Sequence, residues 1–492
     1  MKEIEEIEEP HIVDTSKEML KKEKVNYFQI DVLKAAMIFL VIFDHMVSWG
    51  VKSEIGVALW ERISIPVFLV IMGFNMGISF QEKGDLSLKK LYSWNYFKSK
   101  ILRYIVPFLV LYAFSTLIGL ILYRFNIVAM YEGHFSRSGH GIIHLFIGFL
   151  PFWGPGNWFL PLLFQSILVM PLLYKAFTKK PILALIGCLI VEITLQLIVF
   201  FFIGEITYPE EGHYLYLFMT SVLFYLPAIG LGMWFSFGRD LKSKRNIFMW
   251  ILFPISLVFI IAHQFFNFRF RIDNVLLLRG DYHFLIVPYS AFLFLLAMMI
   301  LPQKSDNPIS RAISLIGKST YHILLTQILG YGILFALLGT HYIIDVGFML
   351  FNALNLIYAW IIFIPFGILW YKIDQNKNIL RRLLYYINLF LVFSILVFAT
   401  FIAWPVGDWV PIPFVIILIY GSIGLIIIIA IKKPLNTTIL ALWTSFLIYN
   451  FILTILYIEI IPPTEYIIQN ASIGIFFIFI AIGTGLYYTF RK

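Results

Sequence analysis

One stretch near the start of the chain holds the residues best suited to chemistry. It reads IDVLKAAMIFLVIFDHMVSWG and places Asp31, Lys34, Asp44 and His45 inside an apolar run. Helical geometry puts Lys34 and His45, eleven residues and about three turns apart, on one face, roughly 16 Å apart along the axis. Asp31 joins that face one turn below Lys34. Asp44 points about 100° away from His45 and need not be its partner. An imidazole titrates near working pH, so His45 is a candidate general base; the alternative is an interfacial histidine bonded to a carbonyl or a headgroup. Lys34 can meet an anionic ligand, pair with Asp31, or snorkel to an interface.

The elements carrying these residues follow from composition. Of 492 residues, 60% are apolar and only 13% charged, with a mean hydropathy of +0.87. Ordinary soluble domains carry about 25% charged residues, which excludes that class. Apolar stretches of about 20 residues each match the roughly 30 Å hydrocarbon core of a bilayer. They predict an all-α polytopic membrane protein of about fourteen transmembrane helices. The spans fall near 28–49, 56–80, 103–123, 157–175, 181–203, 214–236, 247–267, 284–302, 314–339, 345–371, 384–403, 411–431, 437–458 and 470–490. The runs are continuous rather than alternating, so membrane strands are not expected. With both termini in the cytoplasm, 29 of the 37 lysines and arginines fall on the inner side. Seven fall outside (Lys52, Arg62, Arg124, Arg137, Arg269, Arg271 and Arg279), and Lys34 lies within a span. The positive-inside rule expects this division. The net charge of +9 is thus a topology signal with some attraction to anionic lipid, and no nucleic-acid partner is implied. The first 25 residues lack the apolar core of a cleavable signal, so the first span is expected to act as an uncleaved anchor.

Polar residues divide the chain further. Spans one to ten contain Asp31, Lys34, Asp44, His45, Asn75, Gln165, Glu192, Gln196, Gln327, Asn352 and Asn355, whereas spans eleven to fourteen hold little beyond Ser, Thr and Asn450. Ionisable groups in lipid are costly and mark function. The expected organisation is a cytoplasmic tail at 1–27, a ten-helix working unit at 28–371, and a further four-helix membrane segment at 384–492. The lone cysteine, Cys188, is read as a packing residue. Glu192, in mid-span, must be paired or protonated. Residues 124–156 form the longest outer segment, where HGIIHLFIGFLPFWGPGNW is too broken to span and fits a re-entrant or interfacial element. His134, His140 and His144 lie there without a completing Cys or carboxylate set, so no metal site is expected.

Six segments, in order, carry a resemblance: IDVLKAAMIFLVIFDH, IPVFLVIMGF, FKSKILRYIVP, NWFLPLLFQSILVMPLLY, FYLPAIGLG and IGKSTYHILLTQI. Over about residues 25–371 the chain resembles the acyltransferase family 3 membrane proteins, which acylate carbohydrates and related cell-envelope molecules. The resemblance implies a multi-pass cell-membrane enzyme that moves an acyl group, expected to be acetyl, from cytoplasmic acyl-CoA. The acceptor would be a hydroxyl of a carbohydrate or lipid-linked glycan. Acyl-CoA is a co-substrate, and no permanently bound cofactor is implied. His45 would be catalytic, as base or transient acyl carrier. Lys34, Lys98, Lys100 and Arg103 would meet the polyanionic donor; the alternative is topology-setting charge. Asn75 or Gln165 would stabilise the oxyanion or serve as interhelical glue. Trp158 would stack on a sugar or belong to an aromatic belt. The chain departs from the family pattern at Lys34, where the family has Arg, at Met72 for Ser, and at Gln327 for His, and it exceeds the usual ten or so spans. Two other readings remain open: a fourteen-span flippase or transporter of lipid-linked glycans, which predicts two pseudo-symmetric halves not visible here, and an inactive relative acting as a membrane adaptor.

Overall fold

A computed structural model describes residues 27–398, apart from 48, 85–86, 124, 129–155, 157, 204–219, 273–274, 279–281 and 339–348. The principal helices are α1 (Phe28–Met46), α2 (Ser64–Gln81), α3 (Trp94–Lys100), α4 (Val106–Leu122), α5 (Phe159–Lys179) and α6 (Pro181–Ile203). After these come α7 (Leu226–Ser236), α8 (Met249–Phe266), α9 (Val287–Ile300), α10 (Pro308–Leu338), α11 (Met349–Asp374) and α12 (Ile379–Phe398). Among the described residues, five helical segments are long and apolar enough to cross a membrane. They are Val57–Gln81, Leu88–Leu120, Phe159–Lys179, Pro181–Phe202 and Met249–Phe266. Helix α1 is not one of the five, because Asp31, Lys34 and Asp44 fall within its nineteen residues. The spans predicted at 411–431, 437–458 and 470–490, and the loop histidines His134, His140 and His144, lie outside the described residues.

The helices begin where backbone chemistry permits. Ser93 caps α3 by accepting from the Tyr96 N–H at 3.4 Å. A π-helical turn over Ile101–Ile105 then joins α3 to α4, so the third span starts earlier than the predicted 103. Within the described parts of the sixth and eighth predicted spans the α-helices are short: α7 has 11 residues and follows a 3₁₀ turn at Val222–Tyr225, and α9 has 14. The only strands among the described residues form a two-residue antiparallel pair, Arg271–Ile272 with Val275–Leu276, in the α8–α9 connection. That small pair is the one departure from an all-helical reading among the described residues.

Close backbone approach sets the packing. Helix α2 crosses α7 on glycines: a Cβ on Gly73 would lie 2.1 Å from the Ile229 carbonyl oxygen, and one on Gly232 would lie 2.0 Å from that of Val70. Small residues let apolar helices associate by van der Waals contact where no hydrophobic drive acts between them in lipid. Helix α10 presses on α1 in the same way, since a Cβ on Gly317 would fall 2.4 Å from the Asp31 carbonyl oxygen. Around this contact α1, α4, α10, α11 and α12 share one apolar core that includes Ile42, Leu325, Phe363, Trp370, Phe390 and Phe393. A second core joins α2, α5, α7 and α9.

Two polar residues singled out in the spans are structural. Glu192 is fully buried, accepts from the Phe284 N–H at 2.9 Å and is hydrogen-bonded by Gln196, tying α6 to the turn before α9. Cys188 is buried against Gly230, as expected of a packing residue.

Candidate active site

Helix α1 positions the site. Its charged face does not meet lipid; Asp31, Lys34, Ile38, Val41, Asp44 and His45 all line one cavity of about 1010 Å³. The spacing of Asp31, Lys34 and His45 predicts this shared face. Asp44 joins it as well, although sequence spacing left it apart from His45. One carboxylate oxygen of Asp44 lies 3.7 Å from His45 Nδ1. The other accepts from Lys52 Nζ at 2.9 Å, and the same ammonium donates to the Asp44 carbonyl at 2.6 Å. Lys52 thereby holds the carboxylate beside the imidazole. From α10, Tyr331 sets its ring edge-on to His45 at 5.7 Å between centroids and donates its hydroxyl to the Ile42 carbonyl at 3.2 Å. The imidazole is one-fifth exposed and Asp44 about one-quarter. A ring that is seated but still reachable can take and return a proton.

At this end the cavity wall also includes Glu61, Ser64, Trp158 and Tyr282. Trp158 stacks with Tyr225 and with Tyr282, with centroids 5.8 Å and 6.1 Å away. That arrangement presents an aromatic surface at the wall.

The other end is basic. Lys100 and Arg103, at the π-helical turn, line the cavity together with Lys318. A π turn changes the register of the side chains that follow it, and such turns are frequent at functional sites. Lys100 Nζ contacts Met76 Sδ at 3.0 Å and lies over the Tyr96 and Tyr104 rings. Tyr321 of α10 donates to the Tyr104 carbonyl at 2.7 Å, fixing the turn against α10. Asp31 is buried, is hydrogen-bonded by Ser314, and feels the charges of Lys34 and Lys318.

The structure brings most of the sequence candidates together and separates two. His45, Lys34, Lys100, Arg103, Asn75 and Trp158 line the same cavity. Lys98 is exposed and does not line it. Gln165 is also absent from the wall: its amide donates to the Thr220 carbonyl at 3.2 Å and accepts from the Val222 N–H at 2.9 Å, pinning the start of the 3₁₀ turn that leads into α7. Of the two readings of Gln165, this geometry fits the structural one. Met72, at a departure from the family pattern, lines the cavity, and Gln327 is fully buried beside Gly156.

Sequence reasoning passed over Glu61, Lys318, His322 and Asp374, all in the wall. One signal was present: Lys318 and His322 stand four apart on one helix, hence on one face. Asp374 had no such signal, since it reaches the wall only through the packing of α11 on α10. Among the described residues no group of His, Cys, Asp and Glu is arranged to hold a metal ion.

Comparison with known proteins gives one match. A family model described as an acyltransferase domain, that of acyltransferase family 3, covers residues 27–370. No curated protein and no solved structure matches the chain.

Proposed function

This chain belongs to acyltransferase family 3, and we propose that it carries an acyl group from acyl-CoA at the basic end of its cavity to an acceptor hydroxyl at the His45 end. It is a multi-pass membrane acyltransferase; the donor, the acceptor and the residue roles are our reading. The observation that carries the reading is that one continuous wall holds His45 at one end and Lys100, Arg103 and Lys318 at the other. The positive-inside distribution of Lys and Arg supports a cytoplasmic position for the basic end. CoA is cytoplasmic and polyanionic, so it docks there, with its pantetheine arm carrying the thioester along α1.

At the far end the Asp44 charge favours the tautomer with its proton on Nδ1, leaving Nε2 as the acceptor. Nε2 takes the proton of the acceptor hydroxyl as its oxygen attacks the thioester carbonyl. Collapse of the tetrahedral intermediate breaks the carbon–sulfur bond, and the imidazolium returns the proton to the departing thiolate. The products are the ester and free CoA. Asn75 lies in the wall next to Met76, which Lys100 contacts at 3.0 Å, so its amide is read as meeting the donor at the basic end rather than the oxyanion beside His45. The aromatic surface around Trp158 suits the apolar face of a sugar ring, which supports a carbohydrate acceptor.

The test is acceptor-dependent release of CoA thiol by purified protein. His45→Ala should lower kcat by about 10²–10⁴-fold, the range of a lost acid–base group. Equal release by the variant and the wild type would exclude the role given to His45.

A further inference from the structure

The cavity has a second histidine–carboxylate pair, built differently from the first. His322 Nε2 lies 2.7 Å from Asp374 Oδ2, and the hydroxyl of Tyr386 donates to the other Asp374 oxygen. His322 is buried and packs edge-on to Trp370 and Tyr371, with its ring 5.7 Å and 5.5 Å from theirs. His322, Tyr371 and Asp374 all line the cavity, alongside Lys318. The family match ends at residue 370, so Asp374 and Tyr386 lie beyond it. Tyr386 stands on α12, whose Leu389, Phe390 and Phe393 sit in the core shared with α10 and α11.

The carboxylate defines what His322 can offer. A carboxylate accepts only, so the Nε2 nitrogen facing Asp374 carries the proton. In the neutral ring Nδ1 is then an acceptor, and no group among the described residues donates to it. A buried acceptor left without a donor is costly, and a ligand N–H or O–H would relieve that cost. Asp374 makes this wall unfavourable to phosphate, whereas Lys100, Arg103 and Lys318 favour it. The pair therefore suits a neutral, donor-bearing stretch of a ligand whose phosphates lie nearby. The pantetheine arm of a CoA thioester, with its amide N–H groups and hydroxyl, has that chemistry.

We infer that His322 is a recognition residue for the pantetheine portion of the acyl donor, and that Asp374 and Tyr386 are positioning residues that fix its tautomer. The inference rests on the donor reading above. It makes α12, which lies outside the matched domain, a working part of the donor site.

The experiment measures CoA binding by calorimetry to the full-length protein in detergent, with donor and acceptor kinetics in parallel. His322→Ala should weaken CoA binding about tenfold, the size of a lost hydrogen bond to a buried group. Donor KM should rise to match, with kcat within about twofold and acceptor KM unmoved. Asp374→Ala should behave like His322→Ala. Asp374→Asn should recover most of the affinity, since its amide oxygen still accepts from Nε2. Tyr386→Phe removes one hydroxyl while keeping the ring in the core, and should weaken CoA by about threefold. It decides the matter if the larger substitutions fail to fold. Unchanged CoA affinity in His322→Ala and Tyr386→Phe, with the wild type binding, overturns the inference and leaves the donor reading intact. A lowered melting temperature in these variants with no change in CoA affinity overturns it equally. A wild type that does not bind CoA overturns both.

Discussion

Two histidines stand against one cavity, each beside a carboxylate, and they are held in opposite ways. His45 lies 3.7 Å from Asp44, one-fifth exposed, with the carboxylate shared with Lys52. His322 lies 2.7 Å from Asp374, is buried, and its carboxylate is clamped by Tyr386. A catalytic base must change protonation in each cycle, which a loose and accessible contact permits. A recognition group must keep one tautomer, and a close buried hydrogen bond backed by a second donor enforces it. On the reading proposed above, distance, burial and the number of supporting bonds suit the two similar pairs to different tasks.

That contrast can be broken or sharpened by substitution, beginning with the largest effect. The loss of about 10²–10⁴-fold in kcat expected for His45→Ala should have no counterpart at His322, where donor KM moves instead. Similar kcat losses at both histidines would erase the distinction. Next comes the contact that brings both pairs to one wall. Gly317→Leu forces a side chain into the Asp31 backbone and should destabilise the protein by about 1–3 kcal/mol or more. A lowered melting temperature with loss of both CoA binding and turnover is the expected readout, whereas an unchanged melting curve would show that α1 and α10 can separate there at little cost. Smaller still, Asp44→Asn should lower kcat about tenfold, the scale of ~1.4 kcal/mol, with donor KM unchanged. A rise in donor KM on that substitution would place Asp44 with the donor instead. Least of all, Arg103→Gln should raise donor KM a few-fold, because Arg103 is exposed and shares its role with Lys100 and Lys318.

Much of this arrangement was legible in the residues alone. The 3.6-residue period places Asp31, Lys34 and His45 on one face whatever surrounds them, and a charged face inside an apolar chain implies a protected interior. Family segments such as FKSKILRYIVP and IGKSTYHILLTQI marked the helices that build the basic end. Rules of local spacing could not reveal the π-helical turn at Ile101–Ile105, the engagement of Gln165 with the Thr220–Val222 backbone, or the approach of Asp44 to His45. Each depends on a neighbour contributed by another segment or on a local change of helical register.

The same division separates the whole molecule into what its sequence determined and what only its tertiary structure decided. Apolar run lengths and the distribution of Lys and Arg determined a helical membrane protein with a polar first span, because the cost of burying charge and unpaired backbone in lipid acts on every residue independently of its partners. The meeting of His322, Asp374 and Tyr386 required three helices to pack at particular contacts, with Gly317 against Asp31 and the aromatic core of α10, α11 and α12 closing around them. Contacts between residues 52 and 12 positions apart arise from how helices cross, and no periodicity within any one helix encodes them.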